Sequence, residues 1–421
     1  MSEASELFVA LRHRNFRLLW SGQLVSMAGT LMQSAAILWH VSLLVPPAQR
    51  GIALGMVGLV RLLPIVVFSL VAGVVADAHD RRRMMLLTQG GMALAAGALA
   101  WLTFAGVHAL WPIYVLAGVG AAFGAFDGPA RQSFIPTLVP REHLPNAISL
   151  NTIMFQTAAV VGPALAGLVI GELGVGWAYA FNAVSFLCVI GALLAMRDLP
   201  GREAGTASPV SFSAAREGLR FVFRSPLIRS TMLLDFFATF FASATALLPI
   251  FAQDILHVGA HGYGLLSAAP AVGSIVASVV MVRLIERIRR RGGVMLWAVA
   301  AYGLATVVFG ISRNFALTFA CLAFSGAADT VSMVIRNVVR QLSTPDHLRG
   351  RMTSVVMVFF MGGPQLGEFE AGVLANLCGA QFSVVTGGVG CVLAVVWIAA
   401  RTPQLRRYRR EVLVPAIPPG S

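Results

Sequence analysis

The chain has 421 residues, of which 57% are hydrophobic and only 12% charged, against about 25% charged in an ordinary soluble protein. Its apolar residues recur in runs of roughly 20, the length a helix needs to cross a hydrocarbon core about 30 Å thick, so a water-soluble fold is excluded. The net charge of +13 rests on arginine alone, because the chain holds no lysine. These arginines sit in short clusters between apolar runs, an arrangement that sets membrane topology and does not make a nucleic-acid-binding face.

In chain order, Arg12 and Arg14 precede an apolar run that lacks a small-residue cleavage site, which reads as a retained first helix. Apolar runs bounded by charge, Gly or Pro predict helices over 16–45, 51–75, 84–106, 110–134, 147–171 and 177–195. A second set of six follows over 227–250, 263–285, 294–311, 315–338, 352–377 and 382–400. The expected organisation is an all-α integral membrane protein. An N-terminal six-helix bundle spans 1–198, a linker 199–226, a C-terminal six-helix bundle 227–403 and a tail 404–421. The linker is rich in Gly, Pro, Ala and Ser up to Pro209. Beyond it, Arg216, Arg220 and Arg224 alternate with Phe212, Leu219, Phe221 and Phe223, as in a short amphipathic helix on a membrane surface.

Most arginine clusters fall in loops on one side: Arg12, Arg14, Arg17, Arg81 to Arg83, Arg141, Arg197 to Arg229, Arg283 to Arg291, Arg340 to Arg351 and Arg401 to Arg410. Only Arg50 and Arg313 fall on the other. Basic loops stay in the cytoplasm during insertion, so both termini are expected there, in a bacterial inner membrane.

The halves repeat each other. A basic loop closes both the second and the eighth predicted helix, at Asp77 to Arg83 and Glu286 to Arg291. Arg131 precedes Pro140 as Arg336 precedes Pro345, with His143-Leu144 and His347-Leu348 following; Gly162-Pro163 and Gly363-Pro364 come next. Repeated halves around a midplane site are a common construction for secondary transporters.

The segment Gly73-Val-Val-Ala-Asp77-Ala-His-Asp80-Arg81-Arg82-Arg83 resembles the signature loop of the major facilitator superfamily, departing from it at Ala78 and Asp80. Two further stretches, Pro129 to Gly167 and Gln341 to Met352, are similar to the drug-and-siderophore exporter branch, enterobactin-exporter-like and macrolide-efflux-like. The resemblance implies two pseudo-symmetric six-helix bundles working by alternating access. It also implies a cytoplasmic gate at which Gly73 lets helices approach closely and Asp77, Arg81, Asp127 and Arg131 form a charge relay.

Charges inside spans cost about 2.5–3.5 kcal/mol each on insertion scales, so each needs a reason. Asp235, Asp329, Glu368 and Glu370 are the candidates for carrying protons. Asp235 lies about nine residues into the seventh helix, roughly 13 Å along its axis. Glu368 and Glu370 point about 200° apart on a helix, so at most one faces a central cavity. Asp329 is open to a structural role, pairing with Arg61 or Arg336. Arg61 stands alone within a span and is open to two readings, a partner for a carboxylate or a contact for an anionic substrate. With Gln33, Trp39, His40, Asn151, Gln156, Phe236 and Phe240 it makes up the candidate substrate cavity between helices one, four, seven and ten.

The expected function is export of a siderophore or drug-like compound by proton-coupled antiport, with the proton gradient as energy source and no cofactor. Lysophospholipid or other metabolite transport is the alternative within the fold, and a membrane sensor or scaffold the alternative outside it. No Gly-x-x-x-x-Gly-Lys loop exists to bind ATP, and no His-Glu-x-x-His or Gly-x-Ser-x-Gly motif suggests an enzyme. The four cysteines lie in apolar runs without paired spacing, supporting neither disulfide nor metal. Expected partners are the small-molecule substrate and the lipid bilayer, with the protein a monomer.

Overall fold

The computed structural model describes residues 8–78, 80–197, 219–345 and 348–408, with backbone alone for 69–78, for 244 and for parts of 349–358. Twelve long helices run through these residues: α1 Arg14–Leu44, α2 Arg50–Ala78, α3 Arg81–Phe104, α4 Leu110–Phe134, α5 Leu144–Glu172 and α6 Val175–Ala195, then α7 Pro226–Phe241, α8 Gly259–Leu284, α9 Arg291–Ile311, α10 Phe315–Leu342, α11 Arg349–Cys378 and α12 Ala380–Arg401. Eleven described spans are long and apolar enough to cross a membrane. The exception, α11, is 30 residues long but carries Arg349, Arg351, Glu368 and Glu370. Large apolar side chains such as Leu94, Trp101, Trp111, Val282 and Trp297 face outward, as a hydrocarbon solvent requires.

The packing map of α1–α6 recurs in α7–α12. In the first half α1 packs on α5 and α6, α2 on α4, and α3 on α4 and α6; in the second α7 packs on α11 and α12, α8 on α10, and α9 on α10 and α12. The halves meet through two seams of the same kind, α2 against α11 and α5 against α8. Even the connections match: Gly174 before α6 and Gly379 before α12 adopt φ of 94° and 93°, which residues with a Cβ rarely tolerate.

Several helices run further than their apolar stretches, because their ends are capped where the membrane stops. Asp80 explains its own departure from the signature loop, accepting from the Arg83 amide at 2.8 Å as N-cap of α3. Asn314 caps α10 in the same way. The seventh helix, expected over 227–250, instead breaks after Phe241 into short turns, ending in a π-helical turn over Phe251–Ile255. Ser243 takes two carbonyls there, Thr239 O at 2.7 Å and Pro364 O at 3.0 Å, and Pro249 has no amide to continue the ladder. The expected tail likewise begins with a short helix, α13 Pro403–Arg407, whose Leu405 is fully buried. Of the expected amphipathic helix, 219–224 is helical and the rest lies outside the described residues.

Candidate functional site

Two buried polar clusters occupy matching places in the halves. In the second half, Asp235 of α7 meets two arginines of α10: Arg336 Nη2 lies 2.8 Å from Oδ1 and Arg340 Nη2 3.1 Å from Oδ2. Arg336 also reaches Asp329 at 3.3 Å and donates to Ser332 Oγ at 2.9 Å. Residues 329, 332, 336 and 340 share one helical face because they step by three or four. The cluster holds two carboxylates and two guanidiniums, so its charges cancel. All but Asp329 are nearly inaccessible, and the Asp329 side chain remains 39% exposed. Sequence reasoning placed Arg340 among the loop arginines; α10 in fact continues to Leu342 and buries it.

The first half repeats this geometry with a neutral residue. Gln23 and Asp235 are each the tenth residue of their helices, and Arg131, the counterpart of Arg336, donates to Gln23 Oε1 at 3.5 Å. Asp127, one turn before Arg131, accepts from Thr88 Oγ1 and Gln89 Nε2, each at 3.0 Å. Arg81 donates to the Ser133 carbonyl at 2.9 Å. The charge relay expected among Asp77, Arg81, Asp127 and Arg131 is therefore not assembled through Arg81, Asp127 and Arg131 in this conformation. Gly73 lies in the helical backbone of α2, and the side chain of Asp77 lies outside the described residues.

A third polar group lies on the α2–α11 seam. Glu368 packs against Gly58, where an added Cβ would stand 2.9 Å from Glu368 Oε2. Arg61, one turn along α2, is within electrostatic reach of Glu368, Tyr179 and Tyr263, but forms no ion pair among the described residues. Glu368 Oε2 and Gln365 Oε1 are buried without a hydrogen-bond partner among the described residues. Glu370 lies on the same helix, partly buried and rotated away. Asp329 pairs with Arg336, the second of its two expected partners, and not with Arg61.

The aromatic and amide residues expected in the cavity divide into two groups. Phe236 and Phe240 stack on α7 at 5.8 Å, with Phe236 edge-on to Phe359; Asn151 and Gln156 lie half-buried on α5 without hydrogen bonds among the described residues. Gln33 instead accepts from Asn182 at 2.8 Å, His40 pairs with the Tyr179 hydroxyl at 3.2 Å, and Trp39 stacks on Tyr263 at 5.1 Å. Those three are occupied by the protein itself.

Every hydrogen bond between the halves among the described residues falls at one end of the molecule, where α1 and α5 finish and α2 and α8 begin. Arg50 Nη1 reaches both oxygens of Asp254 at 2.7 and 2.8 Å, and Gln253 donates to Ser42 Oγ at 2.7 Å. The Tyr263 hydroxyl donates to the Ala35 carbonyl at 2.9 Å, and His261 meets Glu172 at 3.1 Å. Glycines close the seams here: Gly51 and Gly55 against Gly372, and Gly167 against Gly264, bring backbone onto backbone. This end is sealed.

Two repeated bundles, joined along two symmetric seams and sealed at one end, match a family model described as transmembrane secretion effector over residues 5–416. The chain belongs to this family, a branch of the major facilitator superfamily. Among its curated relatives is the enterobactin exporter EntS of Citrobacter koseri, 27% identical over 352 residues, which cover 84% of this chain and 83% of the relative. The enterobactin exporter EntS of Salmonella choleraesuis is 26% identical over 341 residues, 81% of each. Solved structures share the fold. A bacterial homologue of the human lysosomal transporter Spinster, inward-facing and unoccupied, superposes with a TM-score of 0.73 at 15% identity, covering 94% of this chain and 98% of its own. A POT family transporter in complex with 5-aminolevulinic acid superposes with a TM-score of 0.71 at 10% identity, covering 93% and 96%. The protein is a multi-pass membrane transporter and not an enzyme.

Proposed function

We propose that this transporter exports a siderophore-like or drug-like organic molecule across a bacterial inner membrane by alternating access, in exchange for protons that enter through Glu368. The enterobactin exporters among its relatives support the substrate class. Its basic loops gather at the end opposite the sealed one, so the positive-inside rule makes the sealed end extracytoplasmic and puts both termini in the cytoplasm. The chain works as a monomer, without ATP.

The observation that carries the coupling role is the buried Glu368 Oε2, which has no hydrogen-bond partner among the described residues and sits on a seam that must part when the transporter turns over. Asp235, by contrast, is held between two guanidiniums. Glu368 is thus the carboxylate free to change protonation as α2 and α11 separate. Export of a catecholate siderophore and of a macrolide from cells lacking their own exporters tests the reading. The intact protein should lower cell-associated siderophore, and Glu368→Gln should abolish this. If the intact protein moves neither compound, the substrate assignment fails.

A further inference from the structure

At the basic end, the start of α1 and the finish of α6 border an open cavity of about 440 Å³ lined by His13, Arg14, Asn15, Leu138 and Arg197, the two arginines exposed. The transport reading gives it no role, because it lies within the first bundle and away from both seams. Its walls are fixed by polar bonds. Arg14 Nη2 donates to the Ala195 carbonyl at 3.0 Å, and Asn15 bonds both ways to the Arg197 backbone, at 2.7 and 3.3 Å. Arg82 caps the same helix end through the Leu194 carbonyl at 3.3 Å. His13 Nε2 lies 2.8 Å from His143 Nδ1.

The described lining carries charge of one sign. Among the described residues two arginines line the cavity and no carboxylate does; Asp198, next to Arg197 in the sequence, lies outside them. Burial first, and the neighbouring His143 second, hold the His13 imidazole below its ordinary range. The permanent positive charge therefore comes from Arg14 and Arg197. Arg14 uses one guanidinium nitrogen on a carbonyl, and the Arg197 guanidinium makes no hydrogen bond among the described residues.

Position selects the ligand. The apolar spans of α1 and α6 begin and end at this cavity, so it stands where hydrocarbon gives way to headgroups. Leu138 adds an apolar wall to an otherwise polar site. Guanidiniums match phosphate oxygens in fork geometry, and basic pockets between helices at this level suit anionic headgroups. We propose that the cavity binds a phosphate-ester anion at the membrane surface, with Arg14 and Arg197 as its two cationic contacts. A lipid headgroup and a free phosphate share this chemistry.

The test is binding to the full chain purified in detergent, followed by native mass spectrometry with short-chain phosphatidylglycerol in one arm and inorganic phosphate in the other. Arg197→Gln leaves the backbone bonds of residue 197 in place, and Arg14→Gln serves as a second variant. Losing one cation next to an anionic headgroup should weaken phosphatidylglycerol binding about fivefold. Retention of phosphatidylglycerol but not inorganic phosphate identifies a lipid headgroup, and retention of both, weakened alike by the variants, identifies a general phosphate site. Equal binding by the intact chain and both variants, or no binding in either arm, overturns the proposal. None of these outcomes depends on which compound is transported.

Discussion

Replacing Gly372 by alanine should push the protein out of the sealed conformation. A Cβ at 372 meets the Gly51 carbonyl oxygen, and stands 2.7 Å from Gly55 Cα and 2.8 Å from Gly55 N. All three are backbone atoms, so no side chain can rotate away and α2 itself must move. Overpacking of this kind costs about 1–3 kcal/mol. The cost falls only on the conformation in which α2 touches α11, so it converts to a population shift of about 5- to 150-fold. The Arg50–Asp254 pair on the same end is 14% and 42% exposed, and exposed pairs are worth about 0.2–1 kcal/mol. Packing, not the ion pair, therefore dominates the seam. Spin labels at the exposed positions 49 and 377, in a background with the four cysteines replaced, would report the separation across it. The intact seam should give a single short distance, and Gly372→Ala an added longer one. A folded Gly372→Ala protein with an unchanged distance distribution would refute the argument that backbone contact holds this end shut.

Other expectations follow from the same geometry. Asp235→Ala leaves Arg340 without its carboxylate in the bundle interior, while Arg336 keeps Asp329, and should destabilise the protein by about 3–5 kcal/mol, seen as a lowered unfolding temperature in detergent; adding Arg340→Met should recover part of the loss, and no recovery would show that the two do not act as a pair. Arg50→Ala should shift the spin-label distances less than Gly372→Ala, and the difference from the parent protein should shrink in high salt as screening weakens the pair. Leu405→Ala removes a fully buried side chain and should speed amide exchange at the start of α9, where Gly292 donates to the Tyr408 carbonyl at 3.2 Å; unchanged exchange would mean that α13 does not support that end.

Hydropathy made eleven of the twelve helices legible, because a 20-residue apolar run has few other uses, and the repeat of the two halves supported α11. Their ends were less so: Arg340 reads as a loop charge, yet the helix carries it inward to Asp235. The break after Phe241 escaped notice because Ser243 looks ordinary until Pro364 of α11 arrives beside it. Asp235, Asp329 and Glu368 stood out as charges in apolar surroundings. Which of them has a partner depends on two helices approaching each other, information no single helix contains. Trp39 and His40 could be recognised as polar or aromatic residues within a span, but their rotation toward Tyr263 and Tyr179 is set by packing. The equivalence of Gln23 and Asp235 was readable in principle from the repeat, since each is the tenth residue of its helix once the true starts are known.

The central claim is proton-coupled transport through Glu368, and proteoliposomes carrying a pH-sensitive dye test it most directly. Adding a catecholate siderophore to vesicles with an imposed pH gradient should start proton movement with the intact protein and none with Glu368→Gln. Siderophore flux that proceeds without proton movement, or proton movement that survives Glu368→Gln, would contradict it.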